Sequence, residues 1–336
     1  MKTSTCRYIH RIIPAIAMIL AVAMASPQAN AQIDAQFSQY YEIPAYYNPA
    51  AAGEIDFVNI HGGTRQQWVG IENAPSTFVL TADMPLKLFG KRFGIGLMVH
   101  QESIGLYKTM NLGIQMAYRF KLFGGQFSAG LQLGLLDQSF KGTDIYIPDD
   151  DDFHESDDDA LPQNDIRGNA FDIGVGIWYT HRLFWAGVGA THLNSPTLTM
   201  KSDNAGSSGT QGDFEFQAGR TLYFTAGSNI KIKNTLFEVI PTMLVKSDFT
   251  FTTAELTARV RYNRFISIGV GYRYKDAIIG SLAVNFKNIY VGYSYDYATS
   301  AIGKASSGSH EVIVGYRLKL NMGEKNKNRH KNIRIM

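Results

Sequence analysis

The sequence lacks the residues and motifs on which several protein classes depend. Its single cysteine, Cys6, lies near the amino terminus, so a disulfide framework and thiol chemistry are excluded from the rest of the chain. No stretch after Ala31 approaches 18 consecutive apolar residues, which argues against a membrane-spanning helix there. The Gly-x-Ser-x-Gly, His-Glu-x-x-His and Gly-x-x-x-x-Gly-Lys motifs are also absent, so serine hydrolases, zinc hydrolases and phosphate-binding loops find no support.

What the chain does contain is glycine and aromatic side chains. There are 32 glycines, 18 tyrosines and 20 phenylalanines against only 10 prolines in 336 residues. Aromatic residues favour strands, and glycine punctuates the turns between them. This composition indicates many short strands joined by turns.

The first 31 residues have the features of a signal peptide. Lys2, Arg7 and Arg11 precede an apolar run at 15–25, and Ala29-Asn30-Ala31 provides small residues at the positions that a signal peptidase recognises. As a membrane anchor the run is too short, because a helix needs roughly 20 residues to cross the hydrocarbon. Cys6 precedes the run, so it is misplaced for lipid attachment. We expect cleavage after Ala31.

Cleavage changes the charge of the protein. The full chain has 32 basic and 29 acidic residues, a formal charge of +3. The signal peptide holds three of the basic residues and no acidic one, so the mature chain is formally neutral. A general nucleic-acid surface is therefore not indicated.

Strict alternation of apolar and polar residues dominates the mature chain. In 266–274, apolar residues from Ile266 to Tyr274 alternate with Ser267, two glycines and Arg273. Successive side chains of a strand point to opposite faces, so each such segment has one apolar face. A soluble β-sandwich also alternates in this way.

Three features favour an outer-membrane barrel over a sandwich. Many apolar faces end in tyrosine or phenylalanine, as at Tyr118 and Tyr272, which suits the aromatic girdles of a bilayer interface. The opposite faces combine glycine with isolated charges, a composition that suits a wet lumen. Segment lengths also match tilted strands that cross about 25 Å of hydrocarbon. The sequence therefore predicts an all-β protein, a transmembrane outer-membrane β-barrel of about 14 antiparallel strands.

The barrel is expected to occupy residues 54–321. The predicted strands are 54–67, 75–86, 92–101, 107–121, 125–138, 169–181, 183–191, 220–232, 235–247, 250–262, 265–275, 277–286, 288–297 and 308–321. Connections after even-numbered strands are short and those after odd-numbered strands include the longest ones, with the tight Lys275-Asp276 as an exception. Short turns of such barrels face the periplasm. Both chain ends are therefore expected on the periplasmic side.

Two charged segments interrupt this regular organisation. Eight carboxylates fall between Asp149 and Asp159, beside His154. This segment is either a solvated exterior loop or a weak calcium site, although the EF-hand spacing is missing. The tail at 322–336 holds five basic residues against Glu324. It is either a disordered end or a periplasmic docking arm for an acidic partner or lipid headgroups.

No cofactor, metal or catalytic site is predicted. The pair His310-Glu311 lacks the second histidine of a metal hydrolase. Glycine pairs such as Gly94/Gly96, Gly174/Gly176 and Gly269/Gly271 lie inside predicted strands rather than at strand-to-helix turns, so we interpret them as barrel packing.

Several short motifs resemble one known family. After the cleavage site come Gln36-Phe37-Ser38-Gln39-Tyr40 and Tyr46-Tyr47-Asn48-Pro49-Ala50-Ala51-Ala52-Gly53. The next motif is Arg65-Gln66-Gln67-Trp68-Val69-Gly70 with Ala74-Pro75-Ser76-Thr77. The last two are Gly292-Tyr293-Ser294-Tyr295-Asp296-Tyr297 and Ser307-Gly308-Ser309-His310-Glu311. Their order and spacing over the mature chain resemble the PorP/SprF family of type IX secretion membrane proteins. The acidic segment and the basic tail fit that pattern less well.

The resemblance implies a fatty-acid-transporter-type barrel in the outer membrane. Its partners would be the PorK/PorN ring, a peptidoglycan-binding periplasmic protein and cargo that carries the type IX carboxy-terminal signal, besides the lipids of the outer membrane. Residues 32–53 would form a periplasmic contact or plug, or only a strap before the barrel. The candidate family-motif or contact residues are Gln36, Phe37, Ser38, Gln39, Tyr40, Asn48, Pro49, Gln67, Trp68, Tyr295, Asp296, Tyr297, Ser309, His310 and Glu311.

Three functions compete at this point. The first is a non-enzymatic component of the secretion machinery that binds and positions cargo or ring components. The second is an outer-membrane substrate channel, porin-like or fatty-acid-transporter-like, because about 14 strands enclose a lumen. A barrel-embedded lipase is the third, but it would need a nucleophile beside a base, and no spacing supports one.

Overall fold

The computed structural model describes residues 34–144, 164–202 and 214–320. The predicted signal peptide, the acidic stretch at 149–159 and the basic tail lie outside these ranges. No helix in the described ranges combines the length and the apolar character needed to cross a membrane.

Strands make up most of the described chain. In chain order they are β1 (Phe57–Gln66), β2 (Ser76–Leu88), β3 (Lys91–Ile104), β4 (Tyr107–Leu122), β5 (Gly125–Phe140), β6 (Ile166–Thr180), β7 (Phe184–Thr191), β8 (Thr197–Ser202), β9 (Phe214–Gln217), β10 (Thr221–Ser228), β11 (Ile230–Lys231), β12 (Phe237–Ser247), β13 (Thr252–Tyr262), β14 (Ile266–Arg273), β15 (Ala277–Phe286), β16 (Ile289–Ala298) and β17 (Ser309–Lys319).

Antiparallel pairing closes these strands into a barrel. Each barrel strand pairs with its neighbour in the chain, and β1 pairs with β17 from Phe57 opposite Lys319 to Gln66 opposite His310. The short β11 continues β10 along the same partner, β12. The hairpin of β8 and β9 lies outside the ring, because β7 pairs directly with β10, so the closed barrel has 14 strands. The predicted antiparallel barrel of 14 strands is confirmed. Closure leaves no open sheet edge, which a lipid environment requires.

The hairpin of β8 and β9 was not predicted, since the sequence indicated one long connection at 192–219. The two strands pair with each other, and the end of β8 pairs with the start of β6. Leu198 is fully buried and forms an apolar cluster with Leu136 and Ala218. A four-residue strand such as β9 has too few alternating positions to distinguish it from a loop.

The two faces of the barrel wall differ as the alternation predicts. Outward side chains are apolar and exposed, for example Ile114 (67%) and Val270 (63%), whereas the intervening inward residues are mostly buried. The composition of the inner face suited a wet lumen, but inward charges such as Arg273 (3% exposed) and Glu311 (0%) are enclosed. A segment of the chain itself fills the lumen.

Aromatic side chains meet on the outer wall near the barrel ends. Phe93, Tyr118, Phe120 and Phe127 form a chain of neighbouring rings with centroid distances of 5.1 to 5.8 Å. Such rings are suited to the headgroup level of a bilayer, where one end is apolar and the other wet.

The connections differ between the two ends of the barrel. At one end, here the short-turn end, the strands are joined at 89–90, 123–124, 181–183, 232–236, 263–265 and 287–288. Phe89-Gly90, Phe123-Gly124 and Asn263-Arg264 have positive φ at both residues, as the tight type I′ hairpin turn requires. The opposite end, the long-connection end, carries 67–75, 141–165, 192–220 and 299–308, together with three shorter connections.

Residues 34–53, the lumen segment, run through the barrel from the long-connection end to the short-turn end. Asp34 contacts residues at the far ends of β7 and β12. Gly53 lies against Met84 in β2 and Gly94 in β3, and three residues separate it from the start of β1. The segment forms a 3-10 turn (Tyr40–Glu42), a one-turn α-helix (Pro44–Tyr47) and a second 3-10 turn (Pro49–Ala51). Its aromatic residues are buried, and with inward residues of the wall they form the core of the molecule.

Val270 tests the assignment of the outer face to lipid. It lies on the outer face near the middle of β14, so Val270→Arg is expected to cost about 2–4 kcal/mol of unfolding free energy in lipid vesicles. Phe123→Arg, at an exposed turn of the short-turn end, is the control, with an expected cost of about 0–1 kcal/mol. Denaturant unfolding from vesicles measures both. Equal costs would contradict a lipid-facing position for Val270.

Candidate functional site: the contacts of the lumen segment

Five charged side chains from the barrel wall surround the start of the lumen segment. Arg65 contacts Asp296 at 2.7 Å and Glu311 at 3.2 Å. Arg273 contacts Glu255 at 2.8 Å and Asp296 at 3.1 Å. All five side chains are at most 4% exposed, so water cannot solvate them. A buried ion cluster is tolerated only when its remaining hydrogen-bonding capacity is satisfied.

The lumen segment supplies the missing hydrogen bonds. The backbone N–H groups of Ser38 and Gln39 donate to the two oxygens of Glu311 at 2.7 and 2.9 Å. The Ser38 hydroxyl donates to Asp296 and accepts from Arg65 at 3.0 Å and Arg273 at 2.8 Å. A hydroxyl offers one donor and two acceptor sites, so that of Ser38 is fully used. Two guanidinium groups and three carboxylates are thereby joined to one short stretch of backbone.

Neighbouring residues of the segment extend these contacts. The Gln36 amide donates to Glu255 at 2.9 Å, and the Gln39 side-chain oxygen accepts from the Tyr290 hydroxyl at 2.9 Å. The Tyr40 hydroxyl donates to Thr242 at 3.0 Å, while Phe37 is fully buried. The motif 36–40 thus contacts strands on one half of the barrel.

Asn48 and Pro49 hold the second half of the segment. The Asn48 side chain accepts from the N–H of Ala50 at 2.9 Å, which caps the 3-10 turn, and donates to the carbonyl of Ile177 in β6 at 2.9 Å. Pro49 occupies the first position of that turn, where no N–H is needed. Arg119 in β4 donates to the carbonyls of Ala51, Ala52 and Gly53.

Inward-facing glycines of the wall provide the space for this half. A Cβ atom at Gly189 would overlap the carbonyl oxygen of Tyr47, and one at Gly130 would overlap the backbone nitrogen of Ala50. Gly176 and Gly94 approach Asn48 and the carbonyl of Ala52 in the same way. Glycine is found inside strands where another backbone approaches closely. For Gly94 and Gly176 the predicted barrel packing is therefore contact with the lumen segment, whereas Gly269 and Gly271 pack against side chains of neighbouring strands.

A second polar cluster holds Asp34. Its two carboxylate oxygens accept from His192 at 3.1 Å and from Thr191 at 3.1 Å, and the Tyr223 hydroxyl also donates to it. Asp172 contacts the other ring nitrogen of His192 at 2.9 Å. Burial alone lowers the pKa of His192, but the two carboxylates outweigh it and raise that pKa to about 10. The imidazolium therefore joins the two carboxylates at neutral pH.

The structure brings together some of the predicted candidates and separates others. Gln36 to Tyr40, Asn48 and Pro49 meet the wall inside the barrel, where Asp296 and Glu311 bind the segment. Tyr295, Tyr297 and His310 point outward, because neighbours along a strand face opposite sides. Gln67 and Trp68 lie in the 67–75 connection, where the backbone N–H of Trp68 donates to the Ser309 hydroxyl at 3.2 Å. These residues take no part in the buried cluster.

Several residues of the site were not identified as its members from the sequence. Arg65, Glu255 and Arg273 lie on inward positions that the alternation identifies, but nothing local in the sequence pairs Arg65 with Asp296, 231 residues away. Asp34, Asp172 and His192 gave no motif at all. Inward-facing charges within an otherwise apolar barrel are the one available signal, because a buried charge requires a partner.

The candidate site consists of charged and hydrogen-bonding groups that hold a polypeptide segment. In the described ranges no group of three or more His, Cys, Asp or Glu side chains is arranged to hold a metal ion. The charged groups of the wall, Arg65, Arg273, Asp296 and Glu311, bind backbone and hydroxyl groups of the segment. Its chemistry is therefore that of peptide binding.

Comparison with known proteins identifies the family. The model of the family described as type IX secretion system membrane protein PorP/SprF matches residues 29–316, which include the lumen segment and the barrel from β1 to Tyr316 in β17. The chain belongs to this family. The resemblance seen in the motifs is confirmed, and this PorP/SprF member is an outer-membrane component of the type IX secretion system. No curated protein matches its sequence.

Several solved outer-membrane proteins are similar to this PorP/SprF barrel at low sequence identity. The FadL homologue of Pseudomonas aeruginosa is 9% identical, with a TM-score of 0.49, and the match covers 82% of this chain and 93% of that one. The toluene transporter TbuX of Ralstonia pickettii is 12% identical, with a TM-score of 0.47 and coverage of 82% and 92%. Omp33 of Acinetobacter baumannii is 8% identical, with a TM-score of 0.45 and coverage of 78% and 98%.

Ser38 tests the buried cluster. Ser38→Ala removes a hydroxyl that bonds three charged groups, so we expect a loss of about 1.5–3 kcal/mol of unfolding free energy. Ser294→Ala is the matched control, because Ser294 is equally buried on β16 and its hydroxyl has no partner in the described part of the chain. Denaturant unfolding measures both variants. Losses of equal size would show that the Ser38 hydroxyl does not hold the cluster.

Gly189 tests the fit between the wall and the segment. Gly189→Ala places a methyl group against the Tyr47 carbonyl, and we expect a loss of about 1–3 kcal/mol from overpacking. Gly280→Ala is the control, since Gly280 lies on the outer face with open space around it. Protease accessibility of residues 34–53 provides a second measurement. Unchanged stability and protection in Gly189→Ala would contradict a tight fit.

Proposed function

We propose that this PorP/SprF member is a plugged barrel that binds and positions other parts of the type IX secretion machinery, without catalysing a reaction and without serving as an open channel. The observation that carries the proposal is the lumen segment, which crosses the barrel and completes the buried cluster of Arg65, Arg273, Glu255, Asp296 and Glu311. Release of the segment would break its hydrogen bonds to Glu311, Arg273 and Arg119 and would expose its buried aromatic side chains to water, so release is unfavourable.

The periplasmic ring proteins PorK and PorN, a peptidoglycan-binding protein and cargo with the carboxy-terminal signal are the proposed partners. Family membership supports association with the machinery as a whole. A barrel with a fixed, filled lumen offers its two ends as binding surfaces. The orientation of the barrel in the membrane decides which end faces the periplasmic partners.

We orient the barrel with the short-turn end toward the periplasm, as is usual for such barrels. Leu320, the last described residue, bonds Asp56 at that end, so the basic tail would continue into the periplasm. Asp34 lies toward the opposite end. This position conflicts with the expectation that both chain ends are periplasmic, and we retain that expectation for the carboxy-terminal end alone.

Conductance and export together test the proposal. In planar bilayers the mature protein is expected to be silent, whereas a variant without residues 34–53 is expected to conduct, because its lumen is empty. In cells, deletion of the whole protein is expected to leave signal-bearing cargo in the periplasm. Steady conductance by the intact protein would favour the substrate channel instead. Intact export after deletion would exclude a role in secretion.

Purification of the crosslinked native complex adds the identity of the partners. Ring components or signal-bearing cargo are expected to co-purify with the intact barrel. A variant truncated after Met322 is the matched comparison for the tail. Loss of ring components in that variant would support the docking arm, and unchanged recovery would contradict it.

A further inference from the structure

The lumen segment leaves one part of the barrel open at the short-turn end. Beneath the 3-10 turn Tyr40–Glu42 lies a cavity of ≈ 50 Å³, here the arginine cavity. Its polar walls come from the lumen segment and from strand ends that adjoin the short turns: Tyr41, Glu42, Arg259, Arg261, Asn285 and Arg317. A water needs about 10–15 Å³, so the space holds about three to five waters or one small planar group.

Positive charge dominates the wall of this cavity. Three guanidinium groups face one carboxylate, that of Glu42, whose two oxygens contact Arg259 at 3.1 Å and Arg317 at 3.0 Å. Arg261 is neutralised by Glu238. Glu42 is therefore shared between two arginines, and the cavity retains an excess of one positive charge.

Both shared arginines keep hydrogen-bonding capacity. The Nε atoms of Arg259 and Arg317 are buried and have no hydrogen-bond partner within the described part of the chain. The Arg259 guanidinium lies over the ring of Tyr41, 3.3 Å from its centroid, which fixes its plane. Guanidinium groups held in a fixed plane match the geometry of a carboxylate, which accepts two parallel hydrogen bonds.

The rim around the cavity mouth has the same sign of charge. Every connection at the short-turn end carries or adjoins an exposed basic residue, and these are Lys91, Lys121, Arg182, Lys233, Arg264 and Lys287. Among acidic residues of this end, Asp56 pairs with Arg92, and Glu54 accepts from Thr180. A surface of one sign raises the local concentration of oppositely charged ligands.

We propose that the arginine cavity is a binding site for a carboxylate of an acidic peptide segment, which the basic rim attracts and which competes with Glu42 for Arg259 and Arg317. The ligand enters from the short-turn end. A lipid headgroup is disfavoured as occupant, because the cavity lies inside the barrel mouth and is separated from the bilayer by the wall. The proposal depends on the cavity and its charges and not on the role in secretion.

Calorimetric titration of the mature protein in phosphatidylcholine nanodiscs tests the site. The probe is tetraglutamate, and tetraglutamine amide is the uncharged comparison. We expect tetraglutamate to bind and tetraglutamine amide not to bind. Arg317→Gln is expected to weaken binding about tenfold, the size of one charge-assisted hydrogen bond. The matched control is Arg92→Gln, at the same end but outside the cavity, with an expected change below about twofold, as for an exposed ion pair.

In a second pair of variants, one substitution is expected to strengthen peptide binding. A loss of folding could not produce that result. Glu42→Gln removes the internal competitor and is expected to tighten tetraglutamate binding about tenfold. Asp56→Asn removes a carboxylate of the same end that pairs with Arg92, and we expect little change. Folding of each variant is verified by its heat-modifiable gel mobility.

The outcomes separate the possible occupants. Weakening in Arg317→Gln with tightening in Glu42→Gln supports the site. Equal effects of Arg317→Gln and Arg92→Gln would assign binding to the diffuse charge of the rim and overturn it. Displacement of the peptide by inorganic phosphate at equal concentration, or binding of phosphatidylglycerol vesicles in place of the peptide, would assign the cavity to phosphate groups and overturn the peptide assignment. Absence of tetraglutamate binding would overturn the proposal altogether.

Discussion

The buried cluster of two guanidinium groups and three carboxylates is the constraint on which the rest of the structure depends. Charges in a dry interior need hydrogen-bond partners, and residues of the wall supply only part of those that this cluster has. Glu311 obtains its partners from the N–H groups of Ser38 and Gln39, and the Ser38 hydroxyl joins Asp296 to both arginines. The barrel and the lumen segment are therefore one structural unit, since each supplies hydrogen-bond partners for buried groups of the other.

The inner face of the wall differs between the two halves of the lumen segment. Around residues 36–40 the wall presents mostly charged side chains. Around residues 47–52 it presents several glycines together with Arg119. The combination of glycine and charge on the inner face therefore has two causes. Glycine makes room for backbone, and charge binds it. The remaining space at the short-turn end is the arginine cavity, where the segment turns away from the wall.

Much of the fold could be predicted from sequence because alternation is local. Each strand carries its own apolar face, as 266–273 shows, and the short turns mark where strands end. The hairpin of β8 and β9 escaped because its few alternating positions are not distinctive. The filled lumen was one of the alternatives that the family resemblance left open for residues 32–53. Composition alone suggested polar groups facing water, because contacts across more than 200 residues, such as Gln36 with Glu255, decide whether water or another segment meets those groups. Within the site, family motifs pointed to Asp296 and Glu311, while their partner Arg273 was recognised only as an inward charge.

The order of the chain around the barrel has a consequence for its assembly. Ser38 and Gln39 are made early, but the carboxylate that binds them, Glu311, belongs to β17, 273 and 272 residues later. The same strand closes the barrel against β1. Capture of the lumen segment and closure of the wall thus depend on one strand, whose arrival in register satisfies both. Contacts of such long sequence separation form slowly, because loop closure must precede them. A shift of β17 against β1 by one residue would therefore also turn Glu311 away from Ser38 and Gln39.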